Sequence, residues 1–325
     1  LKRSLSILLL ILSLSLALSV NALAQEQPTE PPSSLDVVPS GATPAPLPTR
    51  LPQPAPVSRA SSERASLEIL FETLPQGSTG LVRLTGDNIA SARARFLDHL
   101  IDFYPMPDGF YGILSAGIET PVRRSVLDVF VTFTDESREP INTEIEVVGG
   151  GFQAQEVVVP SDRARLLSPD VERTELARLE SIFANVTLER YWDETGYQMP
   201  ILASLTSPFG AFRTFNGTLN TRHTGWDIRT TNGAPIFASA AGRVAFAGPL
   251  DIRGNYVVVD HGYGVYSGYA HMSVMHVTRG QVVTKNQVLG MTGDTGRTSG
   301  PHFHWEMAVN GEWVDSVKFI QMWMP

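Results

Sequence analysis

The chain of 325 residues contains no cysteine. That absence excludes disulfides and every thiolate metal site, so any metal has to be held by histidine and carboxylate side chains. An excess of positive charge is missing too. The formal net charge is −8, which is ill suited to a phosphate backbone and removes nucleic acid from the expected partners. There is no His-Glu-x-x-His, no Gly-x-Ser-x-Gly and no P-loop, which sets aside the commonest zinc-protease, serine-hydrolase and nucleotide signatures. Gly262-Tyr-Gly264 lacks the third glycine of a dinucleotide fingerprint and reads as a hairpin turn. No internal repeat of fixed period is visible.

What is present suits a globular, two-domain protein. Hydrophobic residues make up 42% of the chain, and its length exceeds that of one typical domain. Lys2 and Arg3 precede an uncharged run from Ser4 to Val20, followed by Ala22-Leu23-Ala24. This is the layout of a secretory signal peptide over residues 1–24, cleaved after Ala24. The competing reading is a retained anchor, for which a 17-residue run is near the lower limit. The expectation is export to the periplasm, the cell envelope or the exterior, with membrane contact only through the signal peptide. Residues 25–62 form a proline-rich linker, too rich in proline between Pro28 and Pro56 to pack a core and suited to an extended spacer.

Residues 63–165 read as a smaller β-sandwich. Ser125 to Phe133 is rich in β-branched and aromatic residues, residues 141–148 alternate apolar and polar, and Gln155 to Val159 gives a further strand after Gly149-Gly-Gly151. An immunoglobulin-like arrangement is one form such a sandwich takes. Ser91 to Tyr104, with Phe96, Leu100 and Phe103 around His99, suggests a helix, and His99 reads as structural. Residues 166–199 form a helical connector. Ser168 can cap, Pro169 suits the first turn and Asp170 favours the positive helix end, so a helix is expected over about 169–185, bridging the two domains. From 200 to 325 short strands and frequent glycine turns predict an all-β domain.

The chemistry concentrates there. Of seven histidines, six lie between 223 and 304. Gly225 argues against a helix in His223-Thr-Gly-Trp-Asp227, and on an extended chain residues four apart face the same side. His302 and His304, two apart on a strand, also share a face, and His271 follows Tyr269 in a Tyr-x-His context. A catalytic zinc needs three protein ligands and an open position. Four histidines and one aspartate exceed that by two, leaving a pair to act on water and substrate. Spacing alone does not separate His302 from His304.

Several stretches together resemble the lysostaphin-type (LytM-like) zinc endopeptidases: Ser207-Pro-Phe-Gly210, Arg222-His-Thr-Gly-Trp-Asp-Ile228, Asp260-His-Gly-Tyr-Gly264, Tyr269-Ala-His271, Gly293-Asp-Thr-Gly296 and Gly300-Pro-His-Phe-His-Trp-Glu306. The resemblance covers residues near 200–320 and explains nothing before them. It implies an all-β catalytic domain with a groove over an antiparallel sheet. It also implies one Zn²⁺ per chain held by His223, Asp227 and His304, with His271 and His302 catalytic without being ligands. The implied substrate is bacterial peptidoglycan, cut in its cross-links or stem peptides; polyglycine bridges and D-amino-acid links both lie within the family's range. Ser267, Met272 and Phe303 depart from the usual Thr, Leu and Leu and leave all five polar positions intact. His302 is assigned as general base and His271 as transition-state donor, two roles that can be exchanged. His261 and His276 read as structural, while Tyr269 either lines the groove or packs. The alternative function is a non-catalytic wall-binding or regulatory protein on the same fold, against which the complete set of five argues. A wall-binding role for the N-terminal β domain can coexist with the enzyme.

Overall fold

The computed structural model describes residues 49–325, so the signal-peptide segment and most of the proline-rich linker lie outside the described residues. The end of that linker is already part of the fold, because Ser58–Ser61 is an edge strand on Ala65–Ile69.

The N-terminal half is built from two five-stranded sheets. One runs in the order Ser58–Ser61, Ala65–Ile69, Ser78–Gly86, Gly109–Ala116, Tyr104–Met106. The other runs Leu74–Pro75, Arg138–Val148, Arg124–Phe133, Ile89–Phe96, His99–Asp102. Alternation drives the packing. In Arg124–Phe133 every second residue turns inward, so Leu127, Val129 and Val131 meet Leu67, Val82 and Leu84 of the facing sheet in one apolar cluster.

Residues 91–104 are strands and not the expected helix. Ala92, Ala94 and Phe96 are buried while Arg93 and Arg95 point outward, a period of two. Arg93 reaches Asp102 at 2.7 Å across the pair. Leu97, at φ 52°, turns the chain back. Leu100, which a helical stripe would bury, is 60% exposed.

The expected strand near Gln155 forms, but it does not join the sandwich. Ala154–Val157 pairs in parallel with Phe212–Phe215, which pairs in turn with Leu219–Arg222. Helix α1 (Pro169–Phe183) starts as its sequence signals require, with Ser168 Oγ accepting from the Asp170 N–H at 3.3 Å. Its Leu179 and Phe183 pack against Phe246, Tyr256, Tyr266 and Ala308.

The C-terminal half centres on a ten-stranded sheet. Its middle strands are Gly225–Ile228, Phe303–Val309, Val265–Met275 and Gly254–Gly262, neighbours in that order and antiparallel. One face carries Val257, Val259, Tyr269, Phe303, Trp305 and Met307 into a large core. That core also takes in Leu81, Tyr111 and Ile113, which lie on the side of the first sheet turned away from the sandwich interior. The opposite face holds Ala270, His304, Glu306 and Ala308, and α1 lies along it.

Candidate metal centre

Sheet register places two of the five polar residues side by side. Asp227 lies opposite His304 on adjacent antiparallel strands, and His304 in turn lies opposite Ala270, next to His271. His223 precedes its strand and is fixed by backbone bonds to Ala211 and Gly210, in the turn after Leu219–Arg222.

The three side chains converge. His223 Nε2 is 3.0 Å from Asp227 Oδ1 and 3.0 Å from His304 Nδ1, and His304 Nδ1 is 2.8 Å from the same Oδ1. Among the described residues this is the cluster whose histidine and carboxylate ligand atoms all fall within 4.8 Å of one another. Two imidazole nitrogens and one carboxylate oxygen are the donor types zinc accepts.

The outer side of each residue is occupied, which aims the inner atom. The His223 Nδ1–H donates to the Pro208 carbonyl at 2.7 Å, leaving the Nε2 lone pair facing inward. Arg213 pairs with Asp227 Oδ2 and is itself held by Ser207 Oγ at 2.7 Å. On the far side of His304, Nε2 lies 3.1 Å from Glu306 Oε1.

Electrostatics follows from this packing. Burial pushes His223 down to about 4. Burial alone would raise Asp227, but Arg213 overrides it and holds the carboxylate well below its usual range. Burial also opposes charge on His304, yet Glu306 and Asp227 outweigh it and raise that histidine.

His271 and His302 stand beside the cluster, their rings 4.8 Å apart. The Nδ1–H of His271 donates to the Thr295 carbonyl at 2.8 Å, and that of His302 to the Gly300 carbonyl at 2.9 Å. A carbonyl can only accept, so in both rings Nε2 is left as the free nitrogen; in His302 it lies 3.4 Å from Asp227 Oδ1. His271 has φ 58°, a left-handed backbone rare for a non-glycine residue. This breaks the two-residue alternation, so Tyr269 does not share its side. Tyr269 is fully buried, stacks on Phe303, accepts from the Ser239 N–H and shares a hydrogen bond with the Ser267 hydroxyl. It is a packing residue and not part of the groove. His261 is buried as well, between the Ala241 carbonyl and Ser267 Oγ, each at 2.7 Å.

A cleft of about 310 Å³ is lined by His223, His271 and His304 and, from elsewhere in the chain, by Ile118, Glu172 and Trp313; His302 lies outside that lining. Arg213, Arg253 and Glu175 received no role from the sequence. Glu306 was within reach of it, since it lies two residues beyond His304 on the same strand and therefore on the same face.

Residues 221–316 match the model of Peptidase family M23. The chain is 38% identical over 96 residues to the peptidoglycan DD-endopeptidase ShyA of Vibrio cholerae, a stretch covering 30% of this chain and 22% of that protein. It is 39% identical over 119 residues to the DD-carboxypeptidase/endopeptidase Mpg of Neisseria meningitidis, covering 36% and 27%. The matches thus span about a quarter of those relatives. A crystal structure of a protein assigned to peptidase M23 from Pseudomonas aeruginosa superposes with a TM-score of 0.58 at 24% identity, over 76% of this chain and 94% of that one, so the fold is shared well beyond the matched domain. The histidine cluster and the strands that carry it thus lie within residues 221–316, the C-terminal domain of the chain that matches Peptidase family M23.

Proposed function

We propose that the protein is a zinc-dependent endopeptidase that hydrolyses peptide bonds of bacterial peptidoglycan in the periplasm or cell envelope. The observation that carries this reading is the convergence of His223 Nε2, Asp227 Oδ1 and His304 Nδ1 beside two further imidazoles with free Nε2 atoms. Both relatives carry DD-endopeptidase or carboxypeptidase/endopeptidase activity in their names, which supports a DD-bond over a polyglycine bridge as the one cut. We further propose a mature chain beginning after Ala24, with a spacer, a β-sandwich, a helical connector and the peptidase domain following in the order expected from sequence.

In this reading His223, Asp227 and His304 hold one ion per chain. When bound, zinc supplies a Lewis acid and brings the pKa of its water to about 7. His302 takes the proton of the attacking water through Nε2 and passes it to the leaving amine. His271, which must first take a proton from solvent at Nε2 against the opposition of its burial, hydrogen-bonds the carbonyl oxygen as negative charge builds on it. Because the two rings lie 4.8 Å apart and each has Nδ1 tied to a backbone carbonyl, the two roles are interchangeable.

The test is digestion of purified peptidoglycan by the full chain, with mass analysis of the fragments and zinc measured on the same preparation. New amine and carboxyl termini at a DD-linkage, with close to one zinc per chain, are expected. A zinc-loaded, folded protein that releases no fragments would overturn the enzyme reading in favour of a wall-binding protein on the same fold.

A further inference from the structure

An imidazole can offer a metal only one nitrogen at a time, and the partner of the other nitrogen decides which. For His304 that partner is a carboxylate. Glu306 Oε1 lies 3.1 Å from Nε2, and an ionised carboxylate can only accept, so Nε2 carries the proton and Nδ1 is left facing His223 and Asp227.

Glu306 is fully buried, and a buried carboxylate persists only if it is well partnered. Arg253 forks onto both its oxygens at 2.6 and 2.8 Å, and the Tyr256 hydroxyl donates at 2.6 Å. Arg253 is buried in turn and needs a second anion. Glu175 of α1 supplies it at 2.9 Å, while its two oxygens also accept the backbone N–H groups of Ile252 and Arg253 at 2.7 and 3.1 Å. Glu175 lies outside the residues matched to the peptidase family.

We infer that Glu306 is a positioning residue for the metal centre, and that the buried chain Glu175–Arg253–Glu306 fixes His304 from helix α1. The inference rests on the reading of His304 as a metal ligand. An arginine pinned between two glutamates would satisfy itself as a structural ion pair. The contact of Glu306 with the far nitrogen of His304 is what gives this one a function.

The experiment uses the full chain loaded with zinc and ¹⁵N-labelled at histidine. His304 is expected to bind through Nδ1, with a slowly exchanging, downfield Nε2 proton; binding through Nε2 would overturn the proposal, whether or not any variant folds. In competition with a chelator, Glu306→Gln is expected to lose about 10–100-fold in zinc affinity, the usual cost of a lost outer partner. Glu306→Asp should recover part of that loss. Glu175→Gln should weaken zinc by less, in the same direction. Wild-type affinity in folded Glu306→Gln sinks the positioning role, and wild-type affinity in Glu175→Gln sinks its extension to α1. His223→Ala serves as the reference: if it too keeps zinc, the metal-centre reading itself has failed.

Discussion

His271 combines a left-handed backbone, a buried ring and an Nδ1 tied to Thr295, leaving Nε2 as its free nitrogen. Neither it nor His302 is needed to complete the three-atom cluster. Each of His271→Ala and His302→Ala is therefore expected to keep its zinc and its fold while losing about 10²–10⁴-fold in peptidoglycan cleavage, the usual worth of a positioned acid–base group. Zinc content, melting and cleavage on one preparation check this; near-normal cleavage by both variants contradicts it. His261 makes a different prediction. Burial pushes it down to about 4, against about 6.5 for a free histidine. Between those values the unfolded chain binds a proton that the folded chain does not. Its contribution is thus complete above about pH 6.5 and is lost as pH falls toward 4, on the order of 3 kcal/mol in all. His261→Asn should flatten the fall of melting temperature across that window; an unchanged slope would rule His261 out as its source. At this scale spacing put His223 with Asp227, and His302 with His304, on shared faces, while the choice of His304 over His302 as a ligand came from the family resemblance. The sequence was silent about Arg213 and Arg253, whose partners are brought to them only by folding.

Strands place the chemistry, and close strand contact explains Gly225. A Cβ there would lie 2.3 Å from the Trp305 carbonyl oxygen, on the neighbouring strand that carries His304. Gly225→Ala must push apart the two strands bearing Asp227 and His304. The expected result is a loss of about 1–3 kcal/mol, as for other overpacked sites, together with weaker zinc retention. Denaturant unfolding and chelator competition measure both; full stability with full zinc would show that the strands accommodate the methyl group. Helix α1 was readable because its start is written locally in Ser168, Pro169 and Asp170. Residues 91–104 were misread because Phe96, Leu100 and Phe103 fit a helical spacing, whereas the inward set is Ala92, Ala94 and Phe96. Two alanines carry little weight in a hydrophobic pattern, and the arginines between them were the better signal. The strand near Gln155 was visible, but its partner lies more than fifty residues away, and register between distant strands is decided by tertiary packing.

Across the whole molecule the two halves share apolar core, since Leu81, Tyr111 and Ile113 join the cluster that backs the large sheet. Helix α1 covers its other face and supplies Glu175. A fragment of residues 200–325 would lose both layers, exposing several large side chains worth about 1.5–3 kcal/mol each when buried. It is expected to melt well below the intact chain, whereas residues 49–325 should unfold in a single transition. Calorimetry on the two decides; equal midpoints would mean that the peptidase part is self-sufficient. The parallel strand Ala154–Val157 has one more consequence. Its Gln155 accepts from Ser207 Oγ at 2.7 Å and from Arg213, whose guanidinium grips Asp227. For anyone grafting the C-terminal domain onto a foreign targeting module, a seam at residue 200 would cut away that support. The three glycines at 149–151 offer a join that keeps the strand and α1 with the metal cluster, but it leaves behind Ile118 of the cleft wall and the apolar backing of Leu81, Tyr111 and Ile113.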